Sequence, residues 1–370
     1  LLGKDSFQEV DITGITMPIT KHNYIVKDVR QLAATVREAF RIARSGRPGP
    51  VLIDVPKDVS ASVCDYEAEQ PKEVVALAPN KADLEKTVRL IKESVRPMLY
   101  VGGGVIRSKA QRELAEFIEK IDSPVGVSLM GNGAIPCNHP RFTGMIGMHG
   151  TRVSNIAINH CDLLLVVGAR FSDRVVSKSS AFAKKAKIVQ IDVDPAEINK
   201  NMPTMHHVIG DVREVLDSLN AMIEKPLDHS AWNHQVELYK GEYPLKVTAE
   251  NKRAKDVLRA LNHVLPADAV VVTEVGQHQM WTAQFYCHTP QGRFLTSGGL
   301  GTMGYGTGAA IGAQCGCPER RVVNVAGDGS FRMNCNELGT IARYRLPIVI
   351  VVMNNHTLGM VRQWQTLFYD

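Results

Sequence analysis

With 370 residues the chain can bury more than one core, and two or three domains are expected. Its composition, 22% charged and 44% hydrophobic, is that of an ordinary globular protein. The mild net charge of +5 suits anionic cofactors and comes without a basic run or aromatic-interleaved patch, which excludes nucleic-acid binders that depend on one. The longest apolar run, Ile348–Met353, is of strand length, so no segment is a membrane-spanning candidate. The seven cysteines are scattered; Cys315-Gly-Cys317 is the one close pair, and buried reduced thiols are expected there rather than a metal site. The chain opens without Met and stops at Asp370 just after a helix begins. Both ends read as cut, and a targeting peptide would lie before Leu1.

In chain order, residues 1–60 read as the end of a domain. Asp28–Arg44 carries Val29, Leu32, Val36, Ala39, Phe40 and Ala43 on one helical face, Ser45–Pro50 breaks it, and Val51–Val55 is a buried strand with Lys57 just beyond. Phe7-Gln8-Glu9 and Lys21-His22-Asn23 read as polar loops, and 61–80 as a linker. Residues 81–225 alternate strand and helix. Leu84, Val88, Ile91 and Val95 follow the N-cap candidate Asn80, and Leu114, Phe117, Ile118 and Ile121 mark a second helix. Strands are expected at Met98–Val101, Pro124–Leu129, Asp162–Val167 and Lys187–Val193, each ending in glycine or an acid except the second. That is dinucleotide-domain logic, although Gly102-Gly-Gly-Val-Ile-Arg107 lacks the third glycine of a GxGxxG fingerprint, which disfavours a hydride-transfer nicotinamide site. Residues 226–250 read as a second linker, and 251–370 as a third domain.

That last domain holds the most specific pattern. Arg321–Ala326 and Pro347–Met353 are β-branched runs, ending in Gly327-Asp328-Gly329-Ser330 and Asn354-Asn355. Ligands sit at the carboxyl ends of strands in an open parallel sheet, so Asp328 and Asn355 are expected side by side as two hard oxygen donors. Such a pair suits Mg²⁺, which completes its shell with phosphate and water. Gly329 allows close backbone approach to a phosphate, and Ser330 offers an amide and a hydroxyl at a helix N-terminus. Upstream, Ala269–Thr273 runs into Glu274-Val-Gly-Gln-His278, and Ser297–Gly306 is a loop with five glycines. A lone GDG is usually a turn; the spacing of 27 positions from Asp328 to Asn355, each directly after a strand, carries the signal.

The pairing resembles the thiamine diphosphate (ThDP) motif, and the whole chain resembles the catalytic large subunit of acetohydroxyacid (acetolactate) synthase. The stretches that carry the likeness are SFQEVDITGITMPITKHNYIV, SGRPGPVLIDVPKDV, GMHG, VGARFSDRV, VGQHQMW, SGGLGTMGYG, GDGSF and MNNHTLGMVRQWQTLFYD. The resemblance implies an α/β fold of three domains built on parallel sheets: the end of a pyrimidine-binding domain, a central FAD-associated domain and the first part of a diphosphate-binding domain. It implies Mg²⁺ on Asp328, Asn355 and the Thr357 carbonyl. ThDP would touch Val275, Gly276, Gln277, His278, Gly301, Met303, Gly329, Ser330, Leu358, Gly359 and Met360, with Met303 wedged beneath it. A non-redox FAD would touch Gly102, Gly104, Met148, His149, Gly168, Ala169, Arg170, Asp173, Arg174, Asp192, Val193, Gly210 and Asp211. Ser172 stands where many members carry a second acid, a departure that bears on that FAD contact. Gln8 and Lys57 would join Met303 in catalysis, and Phe7, Gln8, Lys57, Met148, Arg174 and Trp364 would line a 2-ketoacid channel, the last two selecting the acceptor.

The implied reaction decarboxylates pyruvate and joins the two-carbon unit to pyruvate or 2-ketobutyrate, the first common step of branched-chain amino-acid synthesis. The resemblance also implies active sites between the subunits of a homodimer or tetramer, a possible regulatory small subunit, and a catalytic glutamate ahead of Leu1, so that this stretch alone is expected to be inactive. No nucleic-acid or membrane partner is expected. A bacterial-type cytoplasmic location is expected, with plastid targeting left open. Three alternatives stand: another ThDP carboligase or decarboxylase, such as glyoxylate carboligase or oxalyl-CoA decarboxylase; a flavoprotein electron carrier; and a non-catalytic flavin-binding fragment.

Overall fold

The computed structural model describes residues 3–4, 6–74 and 78–369, so 75–77 of the expected 61–80 linker and Asp370 lie outside the described residues. Two compact units are present, Leu1–Ala78 and Pro79–Asp370. In the first, β1 (His22–Ile25) pairs parallel with β2 (Val51–Asp54) beside the helix Val29–Arg44. Asp28 caps that helix by accepting from the Arg30 amide, and Lys21 holds its far end by donating to the Ile42 carbonyl at 2.7 Å. The stretch around Lys21-His22-Asn23, expected to be a loop, therefore enters a strand. Its polar side chains serve the helix terminus and the Thr13 carbonyl, to which Asn23 donates.

The second unit contains two parallel sheets. The larger has the order β5 (Phe142–Met145), β4 (Val125–Val127), β3 (Pro97–Val101), β6 (Leu163–Val167), β7 (Lys187–Asp192) and β8 (His206–Ile209). Its core shows why these runs are continuously apolar: both faces are covered. Leu99, Val101, Leu163, Leu165, Val167 and Ile191 point into one cluster with the helices Lys81–Glu93, Gln111–Ile121 and Val212–Met222. Met98, Tyr100, Leu164, Val166 and Ile188 point into the other, with Arg152–His160 and Ser230–Glu242. That is the period of two of an extended chain, written as two separate cores.

The edge strands β5 and β8 escape a sequence reading because one contains glycine and the other two histidines. Val95 is 70% exposed and lies outside its expected helix, which ends at Glu93 because Ser94 turns extended. The stretch 226–250 is more than a linker. Trp232, 4% exposed, and Val236 anchor Ser230–Glu242 to the core, and the indole donates to the Pro97 carbonyl at 2.9 Å.

The smaller sheet runs β10 (Arg293–Leu295), β9 (Val270–Thr273), β11 (Val322–Gly327), β12 (Val349–Met353). Its strand order reverses between β9 and β11, as the larger sheet's does between β3 and β6. Ligand crevices of open parallel sheets open at such points. Cys315 and Cys317 at the end of the helix Tyr305–Gly316 are free thiols as expected, but exposed and half-buried rather than buried, and Cys137 and Cys287, which the sequence does not pair, form a disulfide. Among the described residues no helix is long and apolar enough to cross a membrane.

Candidate active site

Gly327, the last residue of β11, is in register with Met353 of β12, so the residues that follow share one edge. Asp328 starts the helix Asp328–Met333, and the Asn355 amide donates to its carboxylate at 3.4 Å. The Thr357 amide in turn donates to the Asn355 side-chain oxygen at 3.2 Å, and His356 between them adopts a positive φ of 57°. The turn thus folds back so that Asp328, Asn355 and Thr357 adjoin. Among the described residues no cluster of three His, Cys, Asp or Glu side chains could hold a metal. One carboxylate, one amide and one carbonyl make the donor set of a hard cation that keeps other ligands.

Across the strand-order reversal, β9 is followed by Glu274, Val275 and Gly276, and the helix Gln277–Phe285 begins. Gln277 and His278 each keep one buried side-chain atom, Oε1 and Nε2, without a hydrogen-bond partner. Orphaned polar atoms at a site are what a bound polar group would satisfy. Burial drives the His278 ring down to about 4, against the pull of its hydrogen bond to the Glu274 carbonyl and of the Asp328 charge, so the ring is neutral at pH 7.

The glycines of the turn have jobs inside the protein. A Cβ on Gly327 would lie 2.6 Å from His278 Nδ1, one on Gly329 would lie 2.5 Å from Leu358 Cδ2, and one on Gly359 would strike the Gln277 amide. The Cβ side of Gly329 is therefore taken by Leu358. Ser330 is buried and its hydroxyl contacts the Gly327 carbonyl at 3.4 Å. Met360 lies in the first turn of the helix Gly359–Phe368. Met303 lies between Gly301 and Gly304, whose φ values of 71° and 85° only glycine adopts readily.

The 2-ketoacid candidates divide between the two units. Phe7, 92% exposed, Gln8 at φ 59°, and Lys57, which opens the short helix Lys57–Ala61, belong to the first. In the second, the structure brings Met148, His149, Arg174 and Trp364 together. The Met148 amide donates to the Arg174 carbonyl at 2.9 Å, and the Arg174 guanidinium lies 5.8 Å from the centre of the Trp364 ring. His149 is lowered first by burial and then by the Arg174 charge. Its carbonyl accepts from Gln284 at 2.7 Å, which ties this loop to the helix carrying Gln277 and His278.

The FAD candidates follow five of the six strands of the larger sheet at their carboxyl edge: Gly102 and Gly104 after β3, Met148 and His149 after β5, Gly168 through Arg174 after β6, Asp192 and Val193 at β7, and Gly210 and Asp211 after β8. Gly102 and Gly104 pack on the backbone of Gly168 and Ala169, where any Cβ would collide. Asp211 caps the helix Val212–Met222 by accepting from the Arg213 amide and takes the Ser108 hydroxyl at 2.8 Å. Arg174 and the adjacent, exposed Asp173 form an ion pair at 3.8 Å. What the edge offers a dinucleotide is an acceptor and a donor of the kind such ligands use: a strand-end acid, Asp192, and an exposed cation, Arg170.

Comparison with known proteins fits this geometry. A model of the thiamine pyrophosphate enzyme central domain matches residues 84–219, and one of the C-terminal TPP-binding domain matches 274–370. This chain belongs to the thiamine pyrophosphate enzymes. Its relatives include the acetolactate synthase large subunits of Cyanidium caldarium, 44% identical, and Parasynechococcus marenigrum, 45% identical. The chloroplastic acetolactate synthase 2 of Nicotiana tabacum is 46% identical. All of this chain is covered in each comparison, and it spans 66%, 61% and 57% of those three proteins.

Within this thiamine pyrophosphate enzyme one side chain was missed by sequence reasoning, which took Glu274 only as the end of a strand. Glu274 is fully buried, and its carboxylate accepts from the Gly304 amide at 2.8 Å and the Thr307 amide at 3.1 Å. The available signal was an acid placed directly after a run of buried valines.

Proposed function

We propose that this chain supplies the central and diphosphate-binding parts of an acetolactate synthase, which releases CO₂ from pyruvate and joins the remaining two-carbon unit to pyruvate or 2-ketobutyrate. Bound thiamine diphosphate supplies the electron sink for that decarboxylation and transfer. Asp328, Asn355 and the Thr357 carbonyl would hold a Mg²⁺ that anchors its diphosphate, and the orphaned Gln277 and His278 atoms would complete the cradle. Met303 would support the ring system from its glycine-flanked loop. FAD would lie along the carboxyl edge of the larger sheet without a redox role.

The observation that favours a 2-ketoacid carboligase over other members is the Arg174–Trp364 pair: a cation suited to a ketoacid carboxylate beside a large apolar plane suited to its alkyl end. A simple flavin carrier is disfavoured, since the Asp328–Asn355 edge would then be idle. Subunit assembly, a regulatory partner and a cytoplasmic location follow the same family reading. Incubating the full-length protein with pyruvate, thiamine diphosphate and Mg²⁺, then measuring acetolactate, tests it. Decarboxylation to acetaldehyde with no acetolactate would overturn it.

A further inference from the structure

We propose that Glu274 is a positioning residue that ties the Met303 loop to the diphosphate turn, so that both arms of the cofactor cradle hang from one backbone hinge. The proposal rests on the thiamine diphosphate reading and adds to it a residue outside the cradle.

Four observations meet at this side chain. Glu274 has no exposed surface, a costly place for a carboxylate unless donors surround it. The donors all come from one element: Oε2 takes the Gly304 amide, while Oε1 takes the Thr307 amide and, at 3.5 Å, its hydroxyl. Gly304 is the N-cap of the 12-residue helix Tyr305–Gly316 and offers no capping side chain. Glu274 thus performs that cap from another strand, with its negative charge at the positive end of the helix dipole. Gly306 is glycine because a Cβ there would lie 3.0 Å from Glu274 Cδ and 2.7 Å from the Asn324 side-chain oxygen.

Glu274 also faces the other way. Gly276, Gln277 and His278 follow it closely in the chain, so the start of the helix Gln277–Phe285 hangs from the same backbone. Met303 is one residue before the amide that Glu274 grips. A second anchor, Asn334 donating to the Gly304 carbonyl at 2.6 Å, fixes the same glycine from the GDG side. Gly304 is therefore clamped between β9 and the segment after β11, and the height of Met303 above the sheet follows from that clamp.

Glu274→Gln separates this role from simple bulk. The amide keeps shape but turns one acceptor into a donor, so either Gly304 or Thr307 faces an N–H. Hydrogen exchange of the 303–307 amides should quicken by about tenfold or more as the local opening becomes easier. In the full-length enzyme loaded with thiamine diphosphate and Mg²⁺, kcat should fall about 100-fold, the cost of a misplacement near 1 Å. The KM for pyruvate and the calorimetric Kd for the cofactor should stay within about threefold, because the lost contact touches neither ligand. Glu274→Asp, which keeps two acceptors, should recover part of both losses. Unchanged exchange and kcat in Glu274→Gln would overturn the proposal. So would a kcat loss that merely follows a lowered melting temperature and that Asp does not relieve. A wild-type protein that binds no thiamine diphosphate would instead overturn the functional reading, and the exchange of 303–307 alone would then decide whether Glu274 holds this loop.

Discussion

Asp328 brings a carboxylate to the proposed Mg²⁺ edge, and it already orders the turn by taking the Asn355 amide. Asp328→Ala should therefore weaken Mg²⁺-dependent thiamine diphosphate binding by at least about 100-fold, judged by calorimetry, since even partners behind a metal ligand are worth 10–100-fold. Trp364 is 37% exposed, its ring 5.0 Å from that of Phe368 and beneath Arg174. Removing the indole with Trp364→Leu should shift the preference between 2-ketobutyrate and pyruvate by about tenfold, since one methylene is worth about 1–3 kcal/mol of discrimination. Product ratios from mixed ketoacids give the readout, and an unmoved ratio would leave Trp364 a packing residue. His288 predicts a pH effect. Burial pushes its ring from 6.5 down to about 4, with only the Thr282 carbonyl to hold the proton. The unfolded chain then binds more protons than the native one, so the native state's advantage is full above pH 6.5 and is lost as pH falls toward 4. His288→Phe should flatten that slope in melts taken across this window.

At the scale of elements, the helix Ser230–Glu242 shows how little pattern a structural element needs when one residue dominates. Only Trp232, Asn233 and Val236 are buried along its length. The indole carries both an apolar face and the hydrogen bond to Pro97, and Asn233 donates to the Asp122 carbonyl at 2.8 Å. Trp232→Ala should cost about 3–5 kcal/mol in chemical denaturation, the usual range for an aromatic removed from a core. Strand–helix alternation around this helix was legible because parallel strands buried on both faces must be apolar throughout. The helix was not, because only three of its residues are buried and the rest leave no periodic apolar face.

For the second unit as a whole, the Cys137–Cys287 bond joins the segment between β4 and β5 to the loop after the helix Gln277–Phe285, across 150 residues of sequence. Closing a loop of that length removes much of the freedom of the unfolded chain, and about 2–4 kcal/mol is typical. Cys287→Ser should lower the melting temperature of the oxidised protein and leave that of the reduced protein nearly unchanged. Peptide mapping without reductant should recover the linked pair. Cys64, Cys161, Cys315, Cys317 and Cys335 stay free thiols, and Cys161 is pushed up to about 12 by burial, so it should resist alkylation.

The sequence by itself determined the parallel α/β class and the position of Asp328 and Asn355 on one edge, while the place of Gln277 and His278 beside them came from family likeness. The first two are local properties: a β-branched run, a glycine and an acid keep their meaning wherever the strand packs. The pairing of Arg174 with Trp364 came from family likeness and not from spacing, because the two meet only when the larger sheet's loops fold against the last helix. Glu274 and the cysteine pair were beyond reach for the same reason. A buried charge is stable only beside donors, here 30 and 33 residues further along the chain, and a disulfide depends on where two loops end. Only the tertiary structure decided these, since each depends on which distant backbone supplies the second half of the contact.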